Sequence, residues 1–257
     1  MLSIFQRKPL IDDNSAQWIF DTFEWALTHF DKEEFFSRAR LIQPSSEFFP
    51  GRVNSVHEKA ESIFEYTKNY AGLAHWPIKL QAPQEFLNMP TPFMDVQSIE
   101  RNSSKDRLPM LTEQPLIFVP YGPQQTLKAE DLSASFAHVL AQHLVVQSQQ
   151  LPPGGKDYAQ EASEVLAVFM GFGVMFANSA YTFRGSCARC HVGGANRQAS
   201  LSEDGAVFAL ALFCQLKGIS TREATGSLKS YLKSNYKRAV KQIERNEESF
   251  AKLKQYA

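Results

Sequence analysis

The stretch Ser133-Ala-Ser-Phe-Ala-His138-Val-Leu-Ala-Gln-His143-Leu-Val-Val146 decides the fold class of this chain. Its apolar residues and its polar start predict a largely buried α-helix of about 17 residues, capped by Asp131 or Ser133. The following Leu151-Pro-Pro-Gly-Gly155 ends that helix. A second long and very apolar helix is predicted over residues 157–181. Because the connection is short, the two helices are expected to pack against each other as antiparallel neighbours.

Working outward, the first half of the chain adds short strands to these helices. Residues 75–80 alternate between apolar and polar side chains, and residues 116–119 form a compact apolar run, so each predicts a strand. Together they predict a small sheet in the first half of the chain, with parallel and antiparallel pairing both open. The expected fold is α+β in a single domain, with a mixed part over about residues 1–125 and a predominantly helical part over about 126–257.

Three capping boxes predict where further helices begin. Ser55-Val-His-Glu58, Ser200-Leu-Ser-Glu203 and Ser220-Thr-Arg-Glu223 each place a serine three residues before a glutamate. In that arrangement the two side chains satisfy backbone N–H groups that the first helical turn leaves unpaired. The helix opened by Ser55 is predicted to run to about Gly72, and Gly218 is predicted to end the helix before the third box.

Composition limits the classes of function. Among the 257 residues, 27 Lys and Arg balance 27 Asp and Glu. A neutral chain has no overall field that attracts nucleic acid or an anionic membrane. The longest apolar run, residues 165–177, is shorter than the roughly 20 residues that cross a bilayer. The first residues lack the apolar core of a signal peptide, so the expected location is the cytoplasm.

The quoted helix looks like a helix that carries a zinc-protease motif, but the residues of that motif are missing. An HExxH motif needs two His four residues apart and a Glu directly after the first. His143 instead has Val139 four residues before it, and Leu140 stands where the Glu belongs. His138 lies five residues before His143, which separates them by about 140° around an α-helix. Without a distortion such as a π-bulge, the two imidazoles cannot reach the same ion.

These segments together resemble a group of bacterial zincin-like, HExxH metallopeptidase-like proteins, most of them uncharacterised. The resemblance rests on residues 137–146, on the Pro/Gly break, on residues 162–178 and on the upstream Pro44-Ser-Ser-Glu-Phe-Phe-Pro50. It covers about residues 40–215. It implies a zincin-like helix pair, in which the second helix brings further metal ligands to the first.

Carried over to this sequence, the resemblance implies a degenerate site. The family's second His is retained as His143, its Glu ligand falls on Gln160 with Glu161 beside it, and its Asp falls on Glu164. Its first His and its general base fall on apolar residues. The implied function is a non-catalytic binding or regulatory protein in which His143 points toward the turn 160–164 and hydrogen-bonds Glu161 or Glu164. The alternative is a metal-dependent hydrolase with a rearranged site, built from His138 or His143, either Glu and the cysteine loop described next.

A second chemical signature is Cys187-Ala-Arg-Cys190-His191. It has the spelling of a c-type haem attachment site, but haem attachment normally follows export, so haem is not expected. Two thiolates and an imidazole also suit a structural zinc, which would need a further ligand. A redox pair and a plain surface loop are the remaining interpretations. The expected cofactor is therefore either none or zinc, while Cys214 is expected to be a buried apolar residue.

The last forty residues are basic. Cationic residues recur there at helical spacing: Lys229, Lys233, Lys237, Arg238 and Lys241. Such a face can bind an acidic partner or nucleic acid, but a solvated helix face is the commoner case. The chain has no Gly-rich phosphate loop and no Gly-x-Ser-x-Gly elbow. The sequence leaves room for a protein partner that it does not identify, and it gives no argument for nucleic acid or a membrane.

Overall fold

Helices supply most of the fold. The computed structural model describes residues 8–51, 54–81, 101, 116–184 and 200–257. The helices are α1 (Asp13–His29), α2 (Lys32–Ser37), α3 (Val56–Tyr70), α4 (Ala129–Ser148), α5 (Ala159–Ala167), α6 (Gly173–Arg184), α7 (Glu203–Leu216), α8 (Thr221–Ala224), α9 (Leu232–Arg245) and α10 (Glu247–Lys254). Short 3-10 turns cover Pro123–Leu127 and Lys156–Tyr158, and a π-helix covers Val168–Phe172.

Two short strands complete the described structure. Strand β1 (Ile78–Gln81) pairs with β2 (Ile117–Pro120) in a parallel sheet, with Ile78 opposite Ile117. Both strands lie within about three residues of their predicted positions, and the sheet is parallel rather than mixed. The α+β class, with a small sheet first and a mainly helical second half, is confirmed.

Two of the four predicted helix caps are confirmed. The prediction that Asp131 or Ser133 caps the central helix is wrong, because α4 begins earlier, at Ala129, and its N-cap residue Lys128 forms no side-chain cap. Ser55 caps α3 and Ser220 caps α8, each accepting a hydrogen bond from the backbone N–H three residues on. The cap of α7 is Ser202, not Ser200. Ser200 lies before the helix, and its backbone N–H donates to the Glu164 carboxylate.

The predicted helix pair forms, but its second member is not continuous. Helix α4 packs against both α5 and α6. Between α5 and α6 the backbone widens into the π-helix and turns sharply at Gly171, whose φ is +107°. The prediction of one unbroken helix over 157–181 is therefore wrong.

A chain crossing explains the break at Gly171. The Gly171 carbonyl accepts a hydrogen bond of 2.9 Å from the backbone N–H of Ile42. A Cβ atom at position 171 would lie only 2.1 Å from the Arg40 carbonyl oxygen. Glycine is thus required twice, once for the positive φ and once for the close approach of segment 40–42.

Aromatic residues from both halves of the chain share the core around this crossing. The rings of Phe35 and Phe169 stack with centroids 4.3 Å apart. Phe23 packs edge-to-face with Phe169, and Phe213 packs edge-to-face with Phe35. Such contacts add about 0.5–1.5 kcal/mol per pair beyond the burial of apolar area. They fix α1, α2 and α7 around the π-helix.

The second helix of the pair is surrounded by protein. Within the described ranges, Lys156–Ala180 is the stretch whose length and composition would suit a membrane span, and it is completely buried inside the fold. Core helices of soluble proteins have the same length and composition. The setting of this stretch is thus consistent with the predicted soluble protein.

Candidate functional site

The positions that correspond to the zinc-protease motif lie in apolar surroundings. Leu140 is fully buried in the hydrophobic core, and Val139 packs against that core while remaining partly exposed. Neither side chain can bind a metal or accept a proton. The space that an ion and its activated water would need is occupied by close-packed hydrocarbon.

The imidazole that meets the turn at 160–164 belongs to His138. Its Nε2 lies 2.9 Å from the hydroxyl of Ser163, and both residues are buried. The Ser163 hydroxyl donates its proton to the Gln160 carbonyl at 2.7 Å, so Nε2 must be the donor in the contact with Ser163. A serine whose proton points away from the imidazole is not an activated nucleophile. This contact joins α4 to α5.

His143 lies on a different face of α4. Its neighbours one turn away on that face are Val139, which is partly exposed, and Val146, which is exposed. Burial lowers the pKa of His143 to about 4. Within the described residues, His143 forms no hydrogen bond or ion pair with Glu161 or Glu164. The contact that the sequence led us to expect from His143 is made by His138 instead, through Ser163.

The lowered pKa of His143 predicts a pH effect on stability. An imidazole in the unfolded chain has a pKa of about 6.5. As the pH falls from 6.5 toward 4, the His143 imidazole becomes protonated in the unfolded chain but stays neutral in the folded protein. The free energy of unfolding then falls by up to about 1.4 kcal/mol per pH unit. Above pH 6.5 the imidazole is neutral in both states, so it no longer makes the free energy of unfolding depend on pH. Urea titrations across this range should show a shallower decline in His143→Asn than in the wild type, and equal slopes would contradict the assignment.

Glu164 is fully buried and binds the chain beyond the cysteine loop. Its Oε1 accepts a hydrogen bond of 3.0 Å from the backbone N–H of Ser200, and its Oε2 accepts one of 2.9 Å from Leu201. Charge-assisted bonds of this kind are stronger than neutral ones. Glu164 therefore fixes the start of the segment that leads into α7, and neither of its oxygens is left without a proton donor.

We expect Glu164→Gln to lower the free energy of unfolding by about 2–3 kcal/mol. The amide replaces one acceptor oxygen by an NH₂ group, which would face a backbone N–H. Glu161→Gln is the matched control, because Glu161 lies on the same helix, is only partly buried and has no hydrogen-bond partner in the described structure. Urea denaturation of both variants measures the difference. Similar losses in the two variants would show that Glu164 is not an anchor.

The donor set does not fit a zinc ion at this helix pair. Of the five family positions, Val139 and Leu140 are apolar and Gln160 is an uncharged amide. The carboxylate of Glu164 accepts hydrogen bonds from two backbone N–H groups. Over the described part of the chain, no three His, Cys, Asp or Glu side chains are grouped closely enough to hold a metal ion. Three of the predicted ligands, Cys187, Cys190 and His191, lie outside the described residues. Cys214 is buried as predicted, and burial raises the pKa of its thiol to about 12.

Comparison of the chain with protein-family models, with curated proteins and with solved structures finds no match. The resemblance to zincin-like proteins therefore stays a prediction from the sequence.

Sequence reasoning missed the role of Ser163. Its hydroxyl links His138 to the turn at Gln160, but a serine inside an apolar helix gives no sign of its partner. The only available signal was the helical phase, since His138 and His143 cannot both face the same neighbour. Only the packing of α4 on α5 decides which of the two does so.

Proposed function

We propose that this protein is a non-catalytic, zincin-like binding protein of the cytoplasm, in which the α4–α5 pair is a scaffold and not a metal centre. One observation carries the proposal: Leu140, at the position of the general base, is fully buried in the hydrophobic core.

The chemistry of zincins explains why that observation matters. These enzymes hydrolyse peptides with a metal-bound water, and a carboxylate beside the metal takes the proton of that water. Leucine cannot accept a proton, and no carboxylate takes its place, because the Glu164 oxygens accept hydrogen bonds from residues 200 and 201. The remaining role for such a fold is to bind a partner, and a protein partner is the one that the sequence leaves open.

A second candidate function is metal binding by the cysteine motif. Glu164 anchors Ser200 and Leu201, nine and ten residues after His191, so these two residues are held against the helix pair. Two thiolates and an imidazole are suitable zinc ligands. A zinc bound there would be structural, and it would depend on Cys187 and Cys190 while being insensitive to His143.

Hydrolysis assays test the proposal. The purified protein is incubated with casein and with quenched fluorogenic peptides, with and without added zinc. We expect no turnover above that of a buffer control. Turnover that is abolished both by a chelator and by His143→Ala would overturn the proposal, since it would require a working metal site at α4.

A further inference from the structure

An open cleft of about 370 Å³ lies between the start of the described chain and α9. Its lining consists of Lys8, Ser234, Lys237 and Arg238. The three residues on α9 are spaced three and four positions apart, so they share one face of the helix. Lys8 approaches from a segment more than 220 residues away in the sequence.

Hydrogen bonds hold the two walls of the cleft together. The Arg238 guanidinium donates through Nη2 to the carbonyls of Lys8 and Pro9, at 3.3 and 2.9 Å. One helical turn further on, the buried Gln242 accepts from the backbone N–H groups of Leu10 and Ile11 and donates to the Ile11 carbonyl. Because both residues stand on α9, they fix residues 8–11 along it. The relative position of the two backbone segments that flank the cleft is therefore set by the fold.

Within the described residues, the three cations of the cleft, Lys8, Lys237 and Arg238, form no ion pair with a carboxylate. Two carboxylates contact the start of α9 without pairing with these cations: Glu203 accepts a hydrogen bond from Tyr231, and Asp204 accepts one from Asn235. Three positive side chains that line one cleft without a direct ion pair favour an anion there.

We propose that this cleft binds the phosphate group of a soluble phosphorylated small molecule. Arginine and lysine are the side chains that recognise phosphate oxygens, and the Ser234 hydroxyl adds a neutral donor. The volume of the cleft falls within the range of small-molecule sites and exceeds what a single carboxylate would fill. The site lies on α9, not on the α4–α5 pair, so it goes beyond the proposed function and does not depend on it.

Isothermal titration with pyrophosphate and with ATP, at low ionic strength, tests the proposal on the full chain. We expect saturable binding that weakens about tenfold in Lys237→Ala and in Lys8→Ala, which corresponds to about 1.4 kcal/mol for one lost charge-assisted contact. Arg238 is left unchanged because it holds residues 8 and 9 in place. Lys241→Ala is the matched control, since it removes the same charge from an exposed position of α9 that does not line the cleft.

Three results would overturn the proposal. Equal weakening in Lys241→Ala would show that the probes respond only to the general charge of α9. Absence of binding at millimolar probe concentrations would exclude a phosphate site. Flotation with phosphatidylglycerol vesicles, combined with no binding of the soluble probes, would assign the cationic face to a lipid surface instead.

Discussion

Gly171→Ala is expected to lower the free energy of unfolding by about 4 kcal/mol or more, a large share of the 5–15 kcal/mol of a typical domain. The methyl group would lie 2.1 Å from the Arg40 carbonyl oxygen, which cannot move freely because it belongs to the backbone that hydrogen-bonds Gly171 through Ile42. The φ of +107° adds strain for any residue with a Cβ. Urea denaturation followed by circular dichroism measures the loss.

Gly155→Ala separates the two causes. Gly155 also has a positive φ, of +79°, but a Cβ there would meet no atom within 4 Å. Its substitution should cost about 1–3 kcal/mol, from backbone strain alone. If Gly171→Ala cost no more than Gly155→Ala, the crossing of segment 40–42 at the π-helix would not be as tight as described.

Leu140→Glu is expected to have the second large effect, a loss of about 4 kcal/mol. This substitution restores the general base of the zinc-protease motif. If the helix pair were a disused active site that had kept its polar cavity, the carboxylate would be accommodated. Because Leu140 is fully buried among apolar residues, the carboxylate must instead be desolvated without a partner.

Two further variants serve as controls for Leu140→Glu. Leu140→Met keeps volume and polarity, so it should cost less than about 1.5 kcal/mol. Gln142→Glu places a carboxylate at an exposed position two residues away and should change stability by no more than about 0.5 kcal/mol. A cost below about 1 kcal/mol for Leu140→Glu itself would reveal a polar cavity and would favour a rearranged metal site.

Local signals in the sequence predicted the parts of the fold that local chemistry decides. Ser55 and Ser220 cap their helices because the partner N–H lies three residues away in the same chain segment. The two strands were found by the same kind of short-range pattern. Their parallel pairing was left open by the sequence, because strand direction depends on the connection between the strands.

Contacts between distant segments could not be predicted in this way. The break at Gly171 depends on Arg40 and Ile42, which lie about 130 residues earlier. The hydrogen bond from the Ser200 N–H to Glu164 joins the segment before α7 to α5 and has no local signal in the sequence, and the cap of α7 is Ser202. At the candidate site, the sequence correctly predicted that α4 and α5 form a pair, but it predicted that His143 would contact α5, where the structure has His138. Which side of α4 faces α5 depends on how the two helices pack, and the sequence of α4 alone does not decide it. The cleft at Lys8 was missed for the same reason.

The zinc content of the purified protein shows whether the α4–α5 pair is a metal centre. It is measured by elemental analysis in the wild type, in His143→Ala and in a Cys187→Ser, Cys190→Ser double variant. Circular dichroism must first show that each variant is folded. We expect His143→Ala to hold the same amount of zinc as the wild type, because the described residues of α4 and α5 do not group three His, Cys, Asp or Glu side chains around a metal position. Any zinc that is present should be lost only in the double cysteine variant. About one zinc per chain in the wild type that disappears in His143→Ala would contradict the account, because it would make the helix pair a metal centre.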